Sequence, residues 1–66
     1  MRGTVTTFDE ARGLGELHDS VGAGYPFHCT ALVDGTRTVE VGVEVTFELR
    51  PAGGGRWEAT AIERVR

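Results

Sequence analysis

Between Val43 and Leu49 the chain reads Val-Glu-Val-Thr-Phe-Glu-Leu, an alternation of apolar and polar side chains without a break. Successive side chains of an extended strand point to opposite faces. Val45, Phe47 and Leu49 therefore share one face, and Glu44, Thr46 and Glu48 the other. Helix-period patterns are absent from the rest of the chain. Strand-like runs recur instead at regular spacing, which favours a sandwich or a barrel. They fall near Arg2–Phe8, Gly13–His18, Tyr25–Cys29, Glu44–Arg50 and Arg56–Val65. Gly22-Ala23-Gly24, Asp34-Gly35 and Pro51-Ala52-Gly53-Gly54-Gly55 separate them as turns, and Gly42 breaks the chain before the fourth.

A length of 66 residues makes one domain, residues 1–66, with no linker or internal repeat. A chain this short buries only about 60% of the surface its unfolded form exposes, so its stability is marginal. A small closed barrel is one of the few folds open to it without metal or disulfide. The single cysteine, Cys29, excludes an intrachain disulfide and any cysteine metal cluster. A reducing, cytoplasmic setting is the expectation. The stretch Met1-Arg2-Gly3-Thr4-Val5 begins directly in strand-like residues, without a signal-peptide pattern. Nowhere do about 18 apolar residues run together, so no membrane partner is expected.

The basic residues are seven arginines and no lysine, set against ten carboxylates, for a formal net charge of −3. That balance weighs against a strong phosphate binder, since affinity for nucleic acid rests on Lys and Arg neutralising phosphates. A net-acidic domain can still carry a basic stripe.

The segment Gly3 to Leu17, G-T-V-T-T-F-D-E-A-R-G-L-G-E-L, resembles the start of bacterial cold-shock domains, which read G-x-V-K-W-F-N-x-x-K-G-F-G-F-I. Without a gap, Tyr25 to Leu32 then falls on that family's V-F-V-H-F-S-A-I. Val41 to Leu49 is similar to E-G-Q-x-V-x-F-E-I, and Ala59 to Ile62 sits on A-x-N-V. The likeness covers essentially the whole chain, with one residue fewer before Thr36 and one more in the glycine loop. It implies an all-β fold, a small five-stranded antiparallel Greek-key barrel of the OB type. It also implies a core of Val5, Leu17, Tyr25, Phe27, Leu32, Val45, Phe47, Leu49 and Ile62.

Cold-shock domains hold single strands by stacking bases on aromatic side chains of strands 1 to 3 and a following loop. At those positions this chain has Thr7 for Trp, and Leu14 and Glu16 for two Phe. Pro26, Cys29 and Thr36 stand where further Phe are usual. Thr4 and Thr6 replace lysines, and Asp9 replaces Asn. Phe8 and His28 are the surviving matches on or beside the platform, and Arg12 matches a lysine ahead of the Gly-Leu-Gly turn. Glu16 sets a carboxylate where a polyanion would lie.

Several residues carry two readings. His28 is either a stacking ring or an ordinary strand residue, and Arg12 either a phosphate contact or a solvated turn charge. Gly13-Leu14-Gly15 is not a nucleotide loop, because no helix follows it. Its glycines permit sharp strand curvature. Cys29 is a small apolar filler rather than a nucleophile. Trp57, unexplained by the resemblance, either caps the barrel end or joins Arg56 in a contact pair.

Two functions follow. The first is weak binding of single-stranded RNA or DNA through Phe8, Arg12, Leu14, His28, Arg56 and Trp57, with a role in regulating transcription or translation. The second is a protein-interaction module on the same barrel, presenting Leu14, Glu16, Pro26 and Cys29. No nucleophile–base pair or metal constellation points to an enzyme, and no cofactor, metal or small-molecule substrate is expected.

Overall fold

The computed structural model describes residues 1–65. Its strands are β1 (Arg2–Asp9), β2 (Leu14–Asp19), β3 (Gly24–His28), β4 (Glu44–Gly53) and β5 (Arg56–Arg64). One turn of 3-10 helix, η1 (Cys29–Ala31), follows β3. The fold is all-β, and every ladder is antiparallel. The strands form one sheet in the order β3-β2-β1-β4-β5. The alternation of β4 buries Val45 and Phe47 on one side, as expected, but the strand runs on to Gly53, three residues into the segment expected as a turn, because Pro51 and Gly53 still pair with Trp57 and Arg56. The third strand stops at His28, one residue earlier than its composition predicts, because the chain turns there into η1.

The β1–β2 turn is held by Asp9. Its carbonyl accepts the Gly13 N–H at 2.8 Å and its carboxylate accepts the Arg12 N–H at 3.2 Å. Gly13 adopts φ 66°, a left-handed conformation that glycine reaches without steric penalty. Gly15 is required for a different reason. A Cβ there would lie 2.6 Å from Cζ of Phe27 and 2.7 Å from the Thr7 carbonyl oxygen.

The core contains Val5, Leu17, Phe27, Leu32, Val45, Phe47 and Ile62, as the resemblance implies. Tyr25 and Leu49 are only half-buried, at its rim. Tyr25 rests its ring on Phe47, with centroids 5.9 Å apart, an amphipathic side chain at the edge of an apolar cluster. Leu49 lies beyond the stretch of β4 that pairs with β1, which ends at Thr46. Val39 and Ala59 join the core in addition.

Two bulges shape the sheet. Between Val5 and Thr7 the β1–β2 register slips, so Val5 faces Leu17 while Thr7 faces Glu16. The β4–β5 register slips between Thr46 and Glu48, opposite Ala61 and Ile62. Ala61 has φ 49° there, the only non-glycine residue among those described with a positive φ. Ala59 and Ile62 are three residues apart and would face opposite ways in a regular strand. The bulge turns both into the core.

The closed barrel is not formed as a ladder. No ladder pairs β3 with β5, although the two strands touch. A single parallel bridge, Leu32 to Ile62, spans the seam, with the Val33 N–H donating to the Ile62 carbonyl at 3.0 Å. β3 is a short edge, five residues including Pro26, which has no N–H to offer a neighbour. The sheet is curled and open.

Candidate nucleic-acid interface

With Val5, Leu17 and Phe27 turned inward, the other face of β1–β2–β3 is presented outward as three rows across the strands. The first is Asp9, Leu14 and His28; the second Thr7, Glu16 and Pro26; the third Thr4, His18 and Gly24. The positions that the resemblance assigns to stacking rings thus lie side by side on one face, save for Phe8, Cys29 and Thr36. That face holds two imidazoles and no Phe, Tyr or Trp. Its middle row centres on Glu16, whose carboxylate lies 3.7 Å from Nε2 of His18. Nδ1 of the same ring is 2.9 Å from the Thr6 hydroxyl.

The candidate residues separate into three groups. Leu14 and His28 are direct partners across the β2–β3 ladder, and Leu14 is 46% exposed. Nδ1 of His28 accepts the Thr30 N–H at 3.2 Å and lies 3.0 Å from the Thr30 hydroxyl, so it caps η1. An N–H donor requires a lone pair on Nδ1, which places the ring proton on Nε2. Arg12 projects from the β1–β2 turn, with Nε 3.8 Å from the Asp9 carboxylate. Both Arg12 and His28 line a groove of about 550 Å³ that opens past the first row, together with Cys29, Thr30, Thr36 and Arg37. That volume is in the range of small-molecule clefts, about 300–1,000 Å³.

Phe8 lies apart from the outer face. The bulge after Val5 places Thr6 and Thr7 on the outer side and returns Phe8 to the inner one, where it stacks on Phe27 at 6.0 Å. It is half-buried and underpins the face rather than forming it. Arg56 and Trp57 form the third group, opening β5 after the glycine turn, and neither lines the groove. Trp57 faces Pro51 across the hairpin, is 52% exposed and does not pack on the core, so it is no barrel cap.

Cys29 leaves the strand for η1, half-buried and packed on the core, and so is not a platform position. Its Sγ is 3.8 Å from Nδ1 of His28. That nitrogen is already taken by Thr30, so the ring is not disposed to deprotonate the thiol. Asp9, Glu10 and Glu16 do not converge, since Asp9 pairs with Arg12 and Glu16 with His18. Among the described residues no three His, Cys, Asp or Glu side chains are placed to hold a metal ion. No helix among them is long and apolar enough to cross a membrane.

One groove residue escaped the sequence reading. Arg37 follows Thr36 in the β3–β4 loop, and among the described residues it makes no ion pair. Its only sequence signal was its place beside a position where the resemblance expects an aromatic ring. No protein-family model matches the chain, and no curated protein matches it.

Proposed function

We propose that the chain is a divergent cold-shock-like protein of the OB type, acting in the cytoplasm, that binds single-stranded RNA or DNA weakly. The observation that carries the reading is the grouping of Leu14 and His28 with Arg12 and Arg37 at one end of the outer face. A base set on Leu14 and the His28 ring would leave its phosphate within the field of two guanidinium groups, of which Arg12 is paired with Asp9, and of the Glu10 carboxylate that lines the same groove. Nε2–H of His28 supplies a hydrogen-bond donor beside them. The strand order supports the OB assignment, because β3 and β5 approach each other as the outermost strands of a curled sheet, as in a partly open Greek-key barrel.

Affinity is low on this reading because the middle row offers nothing to stack on. Each base–aromatic stack contributes about 1–3 kcal/mol, and Thr7, Glu16 and Pro26 supply none. Glu16 also repels the backbone. Arg56 and Trp57 extend the same binding only if a strand is long enough to reach the β4–β5 hairpin.

The second reading, a protein-interaction module, is favoured by the second row itself. Glu16 beside Leu14 and Pro26 makes an acidic, partly apolar patch suited to a basic peptide. Titration with short pyrimidine-rich single strands, followed by amide chemical shifts at two salt concentrations, separates the readings. Shifts at Leu14, His28 and Arg37 that weaken as salt rises support nucleic-acid binding. Absence of shifts at low salt contradicts it.

A further inference from the structure

Asp34 and Arg64 stand 30 residues apart in sequence and form an ion pair across the seam between the β3–β4 loop and the end of β5. The pair is part of a larger clasp. One carboxylate oxygen of Asp34 accepts the Thr36 N–H at 3.0 Å and the Thr36 hydroxyl at 2.7 Å. Arg64 takes the other oxygen, and its second terminal nitrogen donates to the Thr38 carbonyl at 2.7 Å. One guanidinium thus grips the loop on both sides of Arg37. The Arg64 side chain is about one-third exposed, less than the other paired arginines, Arg2, Arg12 and Arg50.

Gly35, Thr36 and Arg37 form the outer wall of the groove, facing His28 and Arg12. The loop between Leu32 and Val43 contains no strand, and no ladder holds that wall. The Leu32 carbonyl accepts the Gly35 N–H at a long 3.3 Å, and Val39 anchors the far side in the core. Between these anchors the wall is held by the clasp and by one contact within the loop, the Thr36 hydroxyl 3.3 Å from the Thr38 carbonyl oxygen.

We propose that Arg64 is a positioning residue: by gripping Asp34 and Thr38 it holds Arg37 at the mouth of the groove and so regulates the groove's capacity for a nucleic-acid strand. The last clause rests on the nucleic-acid reading above; the positioning does not.

The Asp34 carboxyl is held below its ordinary value by the Thr36 hydroxyl, the Thr36 N–H and the charge of Arg64. A carboxyl depressed in the folded state contributes order that is present above its ordinary value and lost as pH falls through the depressed one. Glu63 lines the same hollow as Asp34, while Glu10 and Glu40 line the hollow on the other flank of Arg64. The pH response assigned to the clasp is therefore the part that Asp34→Asn abolishes.

The test compares wild type with Arg64→Gln, Arg64→Lys and Asp34→Asn by NMR relaxation of the loop amides in the free protein. At neutral pH the Thr36–Thr38 amides of wild type should be as rigid as the strands. They should loosen in Arg64→Gln, while Leu17 and Phe47 amides stay unchanged. Arg64→Lys, which cannot fork to both partners, should fall between. On acidification wild type should loosen and Asp34→Asn should not respond. Oligonucleotide affinity should drop about two- to fivefold in Arg64→Gln, the effect expected of one surface ion pair. A loop equally rigid in Arg64→Gln overturns the positioning role. A loosened loop with undiminished affinity overturns its control of the groove. If wild type binds no oligonucleotide, the nucleic-acid reading falls and control of the groove with it, and the relaxation data still decide whether Arg64 positions the wall.

Discussion

Thr7 stands directly opposite Glu16 across the β1–β2 ladder, at the centre of the outward face. In the cold-shock pattern both positions carry rings. Here one is a short hydroxyl and the other a carboxylate, so the middle of the face neither stacks a base nor tolerates its phosphate. What remains for a strand lies at one end, where Leu14, His28, Arg12 and Arg37 gather. The face has the geometry of that pattern without its chemistry.

On the nucleic-acid reading, Glu16 limits affinity electrostatically. In Glu16→Gln the shape of the middle row is kept and one negative charge is removed. Binding of a single-stranded oligonucleotide should tighten by a factor of about two to ten at low salt. The gain should shrink as ionic strength rises and screening shortens. An equal gain at all salt concentrations would point to a change of shape rather than of charge.

Gly15 should be intolerant of a side chain. A Cβ would meet both the Phe27 ring and the Thr7 carbonyl oxygen at well under contact distance. Gly15→Ala should cost about 1–3 kcal/mol through overpacking, a large fraction of the stability available to so small a domain. Denaturant unfolding followed by circular dichroism measures it. A midpoint equal to wild type would mean that β2 and β3 separate more easily than their packing implies.

Trp57 should be nearly dispensable for folding. Its side chain is half exposed on the hairpin, where Pro51 is its cross-strand partner, and it does not pack on the core. Trp57→Ala is expected to lose less than about 1 kcal/mol, the range of a cross-strand pair. Emission of this sole tryptophan should be red-shifted in the free protein. A blue-shift on adding an oligonucleotide would bring the hairpin into the binding surface, as the sequence reading allowed.

Much of this arrangement was legible in the sequence, for reasons that individual residues show. The Val45, Phe47 and Leu49 alternation marks β4 because a regular strand has a period of two, and Gly22 marks a turn through its backbone preference, whereas Gly13, expected to open the second strand, lies in the turn before it. The bulges were not legible. Phe8 reads as a platform residue only if β1 is regular, and one extra residue at Thr6 sends its ring inward to Phe27. Ala59 is absent from the core that the resemblance implies, and strict alternation from Ile62 would not bring it there; Ala61 resets the register. Val39 sits in a stretch with no period. The Asp34–Arg64 clasp joins charges far apart in sequence, and neither residue has a local pattern that announces the other.

The central claim of the nucleic-acid reading is that the outer face of β1, β2 and β3 is a stacking platform without its rings. The direct measurement is a titration of wild type and the triple variant Thr7→Trp, Leu14→Phe, Glu16→Phe with the same pyrimidine-rich single strand. Cys29 is left in place because it packs on the core and its Sγ would lie 2.8 Å from a Cβ on Gly13. Circular dichroism first establishes that both proteins are folded. At about 1–3 kcal/mol per stacked base, two working platforms should tighten binding by at least about tenfold. Wild type should bind no tighter than the micromolar range. A folded triple variant that binds no better than wild type, or a wild type that already binds at nanomolar concentration, would contradict the claim.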